Sequence, residues 1–458
     1  MIELHDDTIA AISTPRGRSG TALVRISGPG AVAVAAAVCA AELPPRSPQV
    51  TVVRHPDGTG LDRALVCRFP APASFTGEDV VEISCHGGDL VPALVLDAVC
   101  AAGARVAEPG EFTRRAYLNG KLDLVQVEAT LDLIDANSAA HHHAALFQLE
   151  GGLSSRIDSL RAALLQLRAT LAYEIDFPEE DDGPIPREWT LEVAAELRER
   201  IGGLLLHAPE GERLREGVLT VLAGSPNSGK SSLFNSLLGS QRAIVTEVPG
   251  TTRDAIEAHT SIDGYPFRLV DTAGVRAAAG DVERLGIEVA RRYLAHADVV
   301  LLCIEAGRGW HEEEAALAEE AARSGSTVVA VRTKSDLLPP GSDEWGDADP
   351  DPSGASCTVS ARTGAGVPEL RDMLASLSFG GLRNSEEPAL VTRGRHARAL
   401  ERADADIAVF EQSFGSGQPA EIAETHLVDA TQALEEIVGV TDVEDVLGTI
   451  FASFCVGK

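Results

Sequence analysis

The sequence predicts a protein of mixed α/β and α architecture. An N-terminal α/β domain comes first, followed by a helical bundle formed from two separated segments, with a parallel α/β domain inserted between them. Three observations carry this. The stretch Gly224-Ser225-Pro226-Asn227-Ser228-Gly229-Lys230-Ser231-Ser232 lies between the apolar run Val218–Ala223 and the helical run Leu233–Leu238. Residues 215–376 alternate strand and helix patterns, the sign of a parallel sheet covered on both faces. On either side, in 119–214 and 377–458, apolar residues recur at helical spacing, and neither segment holds a core of its own.

In chain order, residues 1–118 mix short strands and helices. Thr21–Ile26 reads as a strand ending in the turn Ser27-Gly28-Pro29-Gly30. Asp62–Phe69 and Asp79–Ser84 alternate as half-buried strands, and Leu90–Ala101 is a helix stopped at Gly103. From residue 119 the period becomes helical, with Leu124, Val127, Leu131 and Ile134 stepping by three and four. Leu153, Ile157, Leu160, Leu164, Leu167 and Leu171 make one apolar stripe on a long helix. The acidic run Glu179–Asp182, followed by Gly183-Pro184, reads as a solvated inter-helix loop. Within the inserted domain, Asp298–Ile304 and Thr327–Val331 are the clearest buried strands, and Asp343–Pro352 is an acidic loop. After Phe379-Gly380-Gly381 the helical period returns, through Leu427, Ala430, Leu434 and Ile437, then Val443, Leu447, Ile450 and Phe454. His141-His142-His143 would sit on one helix, where adjacent positions point in different directions, so a helix surface is expected there and not a metal site.

Composition narrows the class. The 458 residues carry 69 acidic and 39 basic side chains, a net charge of −30, which opposes unspecific adhesion to anionic lipid or nucleic acid. The seven cysteines (Cys39, Cys67, Cys85, Cys100, Cys303, Cys357 and Cys455) are odd in number and contain no C-x-x-C, so neither a disulfide framework nor a zinc site is indicated. With no basic-then-apolar leader and no apolar run of bilayer length, a cytoplasmic location without membrane insertion is expected.

The chemistry sits in residues 215–376. Gly224–Ser232 fits G-x-x-x-x-G-K-[ST], the phosphate-binding loop. Its glycines let backbone N–H groups curl around phosphates at a helix N-terminus. Lys230 would neutralise the β- and γ-phosphates, and Ser231 would ligate Mg²⁺. Asp271-Thr272-Ala273-Gly274 follows the strand Phe267–Val270 and suits the Mg²⁺ shell and the γ-phosphate. Thr251-Thr252 lies where a switch threonine completes Mg²⁺ coordination, here Thr252. Thr333-Lys334-Ser335-Asp336 ends another strand, and an Asp there accepts from N1–H and the 2-amino group of guanine. Ser360-Ala361 would offer a backbone N–H to guanine O6. Such motifs in order, each at the carboxyl end of a strand, specify a Ras-like P-loop GTPase domain that uses GTP and GDP. The glutamine that orients the attacking water in many GTPases is replaced by Val275. Arg253, Asp254, Arg276 and Glu283 are the candidates for that task.

These residues also carry a resemblance. The chain resembles the tRNA-modification GTPase MnmE (TrmE) family over nearly its whole length. The matches include Asp7-Thr8-Ile9-Ala10, Leu23–Gly28, Ser74–Asp79, Cys85-His86-Gly87-Gly88, Pro109–Thr113, Leu118–Leu124, Ile175-Asp176-Phe177-Pro178, Gly250–Asp254, Asp271–Gly274 and Phe454-Cys455-Val456-Gly457-Lys458. The resemblance implies domains at 1–118 (dimerisation and folate binding), 119–214 and 377–458 (helical), and 215–376 (GTPase). It implies a folate-binding site at Arg25, Glu82, Lys121 and Lys458 for 5-formyl- or methylene-tetrahydrofolate. It also implies K⁺ stimulation through Asn227, Thr246, Val248 and Thr251, with Thr246-Glu247-Val248-Pro249-Gly250-Thr251-Thr252 forming the loop over ion and nucleotide. Glu283 matches the family's catalytic glutamate, and Cys455 matches a cysteine needed for tRNA modification. The family works as a homodimer with an FAD-dependent partner, MnmG (GidA), in a heterotetramer that modifies carbon 5 of the wobble uridine of certain tRNAs.

Two departures stand out. Thr333 occupies a place where the family more often has Asn, so the amide that bonds the base and ties down the phosphate loop is lost, and weaker nucleotide binding is expected. The acidic balance is unusual for a tRNA enzyme and suggests that the partner carries much of the RNA contact, or that the host is salt-adapted. Two alternatives from other classes are a ribosome-assembly GTPase and a folate-gated regulatory GTPase without tRNA chemistry. The single phosphate loop and the absence of a basic tail count against the first.

Overall fold

The computed structural model describes residues 7–39, 41–176, 186–239, 256–271, 291–309, 311–339, 355–385, 388, 390–440, 447–448, 450–451, 454 and 456–457. The chain forms two compact units. One comprises Met1–Leu131, Leu149–Glu179 and Pro419–Lys458, and the other Asp132–Gln148 and Glu180–Gln418.

The first unit is built on a six-stranded sheet. Its strands are β1 (Ile9–Ile12), β2 (Thr21–Ser27), β3 (Gln49–Arg54), β4 (Gly60–Phe69), β5 (Val80–His86) and β6 (Arg105–Val106), in the order β3-β4-β5-β2-β1-β6. All neighbours are antiparallel except β1 and β6. Alternate side chains divide between two faces, as a pleated strand requires. Ala22, Val24 and Ile26 of β2 pack with Val81 and Ile83 of β5 against α1 (Ala31–Val38) and α2 (Leu90–Ala101). Ile9 and Ala11 of β1 turn the other way, onto Phe112 of α3 (Glu111–Leu118).

That second face holds a network of charges. Arg115 on α3 has a side chain only 5% exposed. It reaches Asp7 at 2.6 Å, Glu111 at 3.0 Å and Glu78 at 3.2 Å. Arg105 reaches the same Asp7 and Glu111, each at 2.5 Å. Two guanidiniums thus meet three carboxylates, so that each charge in the network has at least one opposite partner.

Helix α4 (Leu124–Asp135) is followed by α5 (Ala139–Leu149), α6 (Gly152–Asp176), α7 (Arg187–Leu205) and α8 (Ala208–Glu216). All six residues of the predicted stripe, Leu153 to Leu171, are buried on α6. Burying each such side chain contributes roughly 1.5–3 kcal/mol. In the first unit α6 pairs with the helix Ala420–Val438, whose Leu427, Ala430, Leu434 and Ile437 are fully buried. In the second unit α7 pairs with the helix Gly394–Gly415, where Arg198 meets Asp404 and Glu411, both at 2.9 Å. Each pair takes one helix from before the inserted α/β region and one from after it. The helical part is therefore built from two chain segments, and no helix among the described residues is long and apolar enough to cross a membrane.

The end of the chain threads back onto the first unit. Leu447, Phe451 and Phe454 pack on Leu124 and Val127. Val456 bridges to Pro109, and the carbonyl of Gly457 accepts a hydrogen bond from Ser13 Oγ at 3.0 Å. Gly457 has φ +99°, and a Cβ there would lie 2.5 Å from the Ile12 carbonyl, so the tail needs glycine at this point.

The second unit contains a sheet of β7 (Val218–Ala223), β8 (Ile256–Ile262), β9 (Tyr265–Asp271), β10 (Val299–Glu305), β11 (Thr327–Thr333) and β12 (Ser356–Thr358), in the order β12-β11-β10-β7-β9-β8. Only β8 runs antiparallel to its neighbour. Every residue of β7 is buried, because helices cover both faces: α9 (Lys230–Leu238) and the helix Val367–Arg383 on one side, and α10 (Glu312–Arg323) on the other.

One expectation fails here. His141 is not on a helix surface. It is 4% exposed, and among the described residues neither ring nitrogen has a hydrogen-bond partner. Burial lowers its pKa, with Asp132 and Arg215 nearby acting in opposite directions. The helix is covered on the side His141 faces, which local periodicity over three identical residues cannot show. Asp132, at the same place, is 6% exposed between Arg393 at 2.6 Å and Arg215 at 3.3 Å.

Candidate functional site

The site grows from the carboxyl end of β7. The loop after Ala223 must turn sharply against β10. Gly224 has φ +133°, and a Cβ there would stand 2.3 Å from the Cys303 carbonyl, so only glycine fits. Cys303 itself is fully buried, and burial pushes its thiol up to about 12, which leaves it chemically inert beneath the loop. Asn227 adopts φ +63° and Gly229 φ +87°, which folds the backbone into a concave turn that opens onto the N-terminus of α9. Backbone N–H groups and the helix N-terminus there favour a phosphate.

Lys230, the first residue of α9, is only 6% exposed. Its ammonium donates to the carbonyls of Gly224 at 3.0 Å and Ser225 at 2.7 Å. The charge is thereby held across the mouth of the loop. Ser231 and Ser232 follow on the exposed side of the first helical turn. Asp271 ends β9 opposite Leu222 of β7 and is 2% exposed. A helix-start hydroxyl and a strand-end carboxylate are hard oxygen donors that suit Mg²⁺.

The base end of the site is formed after β11. Lys334 takes the left-handed conformation, φ +57°, and its ammonium meets Glu305 at 2.9 Å. A single 3₁₀ turn, Ser335–Leu337, then presents Asp336. Ser360, fully buried, donates from Oγ to Asp336 Oδ1 at 2.7 Å and accepts from the Thr363 N–H at 3.2 Å. A cleft of about 380 Å³ is lined by Gly229, Thr333, Lys334, Asp336, Ala361 and their neighbours. Gly229 of the phosphate loop and the segments around Thr333–Asp336 and Ala361 therefore share one cavity.

Thr333 corrects an expectation. Its hydroxyl donates to the Ser228 carbonyl at 2.6 Å and lies 3.2 Å from the Ile304 carbonyl. The tie between base motif and phosphate loop thus persists, made by a hydroxyl in place of an amide. Periodicity and spacing cannot show it, because the two motifs are about a hundred residues apart.

Sequence reasoning also missed Glu314. Its side chain is 1% exposed and accepts from Ser225 Oγ at 2.6 Å. Arg308 donates to the same hydroxyl at 3.1 Å. The second residue of the phosphate loop is therefore clamped from α10. The only available signal is that Glu314 falls on the inward side of the helix beside Ala318 and Ala321, both buried.

In the first unit Arg25 and Glu82 are register partners on β2 and β5 and form an ion pair at 2.9 Å. The guanidinium also lies over the rings of Phe75 at 5.2 Å and Phe112 at 5.7 Å. Lys121 donates to the Pro72 carbonyl at 3.2 Å, and its stem runs beside Gly77. Arg25 and Lys121 thus both reach the 72–78 loop, Arg25 at Phe75 and Lys121 at Pro72 and Gly77, with Glu82 paired to Arg25. Cations, a carboxylate and a ring face make a donor set that fits a charged, planar ligand. Sequence reading did not single out Phe75, whose ring lies under the Arg25 guanidinium.

Thr246–Thr252, Thr272–Gly274, Glu283, Cys455 and Lys458 lie outside the described residues.

One test of the base pocket follows from the Ser360 bond. Ser360→Ala would leave the Asp336 carboxylate without its fixed donor. GDP affinity is expected to fall by about three- to tenfold, a fraction of the value of one charge-assisted hydrogen bond, because the lost bond positions Asp336 and does not itself touch the ligand. Competition between GDP and ADP in the same variant reads selectivity, which should persist, because the carboxylate itself remains. Unchanged GDP affinity would show that the bond positions nothing.

Comparison with known proteins gives matches over both units. A model for the MnmE helical domain matches residues 124–455, and one for the GTP-binding protein TrmE N-terminus matches residues 8–121. The tRNA modification GTPase MnmE of Heliobacterium modesticaldum is 43% identical, covering 99% of this chain and 99% of that protein. The tRNA modification GTPase MnmE of Ligilactobacillus salivarius is 38% identical over 100% and 99%. Among solved structures, the G domain of the T. maritima FeoB iron transporter is 28% identical over 34% of this chain and 96% of that one. Its TM-score is 0.26, too low to bear on the fold.

Proposed function

Because the chain belongs to the MnmE family of tRNA modification GTPases, we propose that it is a K⁺-stimulated GTPase acting on the wobble uridine of certain tRNAs. The observation that supports this most is the shared cleft. Gly229 and Ser232 of the phosphate loop line it together with Asp336, which Ser360 holds, while Lys230 is fixed to the loop carbonyls beside Gly229. A carboxylate fixed in that place accepts from N1–H and the 2-amino group together, which favours guanine over adenine.

In this reading Lys230 and the loop N–H groups bind the β- and γ-phosphates, and Ser231 and Thr252 hold Mg²⁺. Asn227, Thr246, Val248 and Thr251 hold K⁺. The cations supply the positive charge that phosphoryl transfer needs where Val275 replaces the usual glutamine. Glu283 orients the attacking water. Arg25, Glu82, Lys121 and Lys458 bind a tetrahydrofolate one-carbon donor. The protein acts as a homodimer through residues 1–118 and with an FAD-dependent partner of the MnmG type. Together they install an aminomethyl or carboxymethylaminomethyl group at carbon 5, with Cys455 required. Hydrolysis of GTP drives association and dissociation of the GTPase domains.

The test is the nucleoside composition of tRNA from host cells with the protein, without it, and with Cys455→Ser. Loss of the C5-modified wobble uridines on deletion, unrestored by the serine variant, is the expected result. Unchanged tRNA with accumulating ribosomal particles would replace this reading with ribosome assembly. Unchanged tRNA and ribosomes would point to a folate-gated regulatory GTPase.

A further inference from the structure

We propose that this GTPase reads guanine only through its Watson–Crick edge and O6, and that Thr333 leaves N7 unread. The inference rests on the guanine-nucleotide reading above and refines it.

Guanine offers two kinds of edge. N1–H and the 2-amino group are donors, and a carboxylate such as Asp336 suits them. N7 and O6 are acceptors, and each needs a donor from the protein. Asp336 and Ala361 line one part of the cleft, while Gly229 and Thr333 line the part nearest the phosphate loop. The five-membered ring, which carries the ribose and so the phosphates, must lie toward the loop. N7 therefore faces the Thr333 end. A Cβ on Gly229 would stand 3.2 Å from Thr333 Oγ1, which places that hydroxyl directly beneath the loop.

A threonine hydroxyl carries one hydrogen. In Thr333 it lies between two acceptors, the Ser228 carbonyl at 2.6 Å and the Ile304 carbonyl at 3.2 Å. Neither carbonyl can donate in return, so the hydrogen is committed to the protein and none is left for N7. The Ser335 N–H is spent inside the protein, on the Val359 carbonyl at 3.2 Å, and the Lys334 ammonium, with three hydrogens, is drawn away from the Thr333 hydroxyl toward Glu305 at 2.9 Å. An amide at position 333 would have two N–H hydrogens and a carbonyl, enough to serve the loop and the base at once. The hydroxyl serves the loop alone. The site thus keeps an ordered phosphate loop and tolerates guanine nucleotides altered at N7.

The experiment is a competition titration on the full-length protein, with fluorescent GDP displaced by GDP, 7-deaza-GDP or IDP. 7-Deaza-GDP replaces N7 with C–H, and IDP lacks the 2-amino donor. GDP and 7-deaza-GDP are expected to bind within about twofold of each other, while IDP binds about tenfold more weakly. In Thr333→Asn, GDP should tighten by about three- to tenfold and 7-deaza-GDP should not, so that discrimination at N7 appears. If 7-deaza-GDP binds the unaltered protein fivefold or more weakly while IDP is also weak, N7 is read and the proposal is overturned, with the GTPase reading intact. If IDP matches GDP, or GDP fails to bind, the guanine reading itself fails and the proposal falls with it.

Discussion

Lys230→Ala is expected to weaken GDP binding by about a hundredfold and GTP hydrolysis by about 10²–10³-fold. Three features make this the largest functional effect in the molecule. The ammonium is 6% exposed, so its charge acts in a medium where water screens it poorly. It is pinned across the loop by the Gly224 and Ser225 carbonyls, so it costs little reorganisation to face a phosphate. Hydrogen bonds to charged groups contribute about 1.5–3 kcal/mol each, and more than one would be lost. Titration with fluorescent GDP, beside a thermal melt of the same variant, measures it. The melt separates lost binding from lost folding, because the alanine also leaves two loop carbonyls without their donor. Affinity within threefold of the parent, in a folded protein, would show that phosphate recognition lies elsewhere.

The largest expected effect on stability comes from Arg115→Ala, about 3–5 kcal/mol. Removing one partner of a buried ion network leaves the others uncompensated. Here Glu111, 7% exposed, and Glu78 would lose Arg115, while Arg105 remains to serve Glu111 and Asp7. The surface pair Arg198–Asp404, with side chains 37% and 31% exposed, is the control. Arg198→Ala should cost about 1 kcal/mol or less, because solvent screens it. Chemical unfolding of both variants measures the contrast through the shift in denaturant midpoint. Equal losses would mean that water reaches the Arg115 network freely.

The same network makes an acid dependence with a definite sign. Burial pushes the Glu111 carboxyl up, but bonds from Arg105, the Glu108 N–H and Arg115 outweigh it and hold its pKa below the ordinary value. Asp7 is lowered in the same way, by Arg105 and Arg115 against its burial. Carboxylates with depressed folded-state pKa values contribute stability that is complete above their unfolded values. That stability is lost as pH falls through the folded ones. The gap between the parent and Arg115→Ala should therefore be full at neutral pH and shrink below about pH 4.

The elements that could be read without coordinates share one physical property, a pattern carried by neighbours in sequence. The α6 stripe shows its period of three and four in Leu153 to Leu171, and all six residues are buried. Helix α2 runs from Leu90 to Ala101 as its pattern and the following Gly103 predict. Strand β7 and the phosphate loop were legible because a continuous apolar run meets a motif whose glycines the backbone requires. Strand β1 was not legible. It is four residues long, and Ile9 and Ala11 are buried on one face while Ala10 is buried on the other, so no alternation between apolar and polar survives.

The order of elements and the motif chemistry of the nucleotide site were legible in the residues alone. Local periodicity and backbone-imposed glycines are properties of contiguous residues, and they survive without tertiary context. Which polar side chains are committed to partners far along the chain emerged from the folded arrangement. Thr333 gives its one hydrogen to Ser228, Glu314 is buried against Ser225, His141 is enclosed, and Arg115 gathers Asp7, Glu78 and Glu111. A hydrogen bond or an ion pair depends on where two groups meet in space. Residues a hundred positions apart leave no trace of that meeting in the pattern of either neighbourhood.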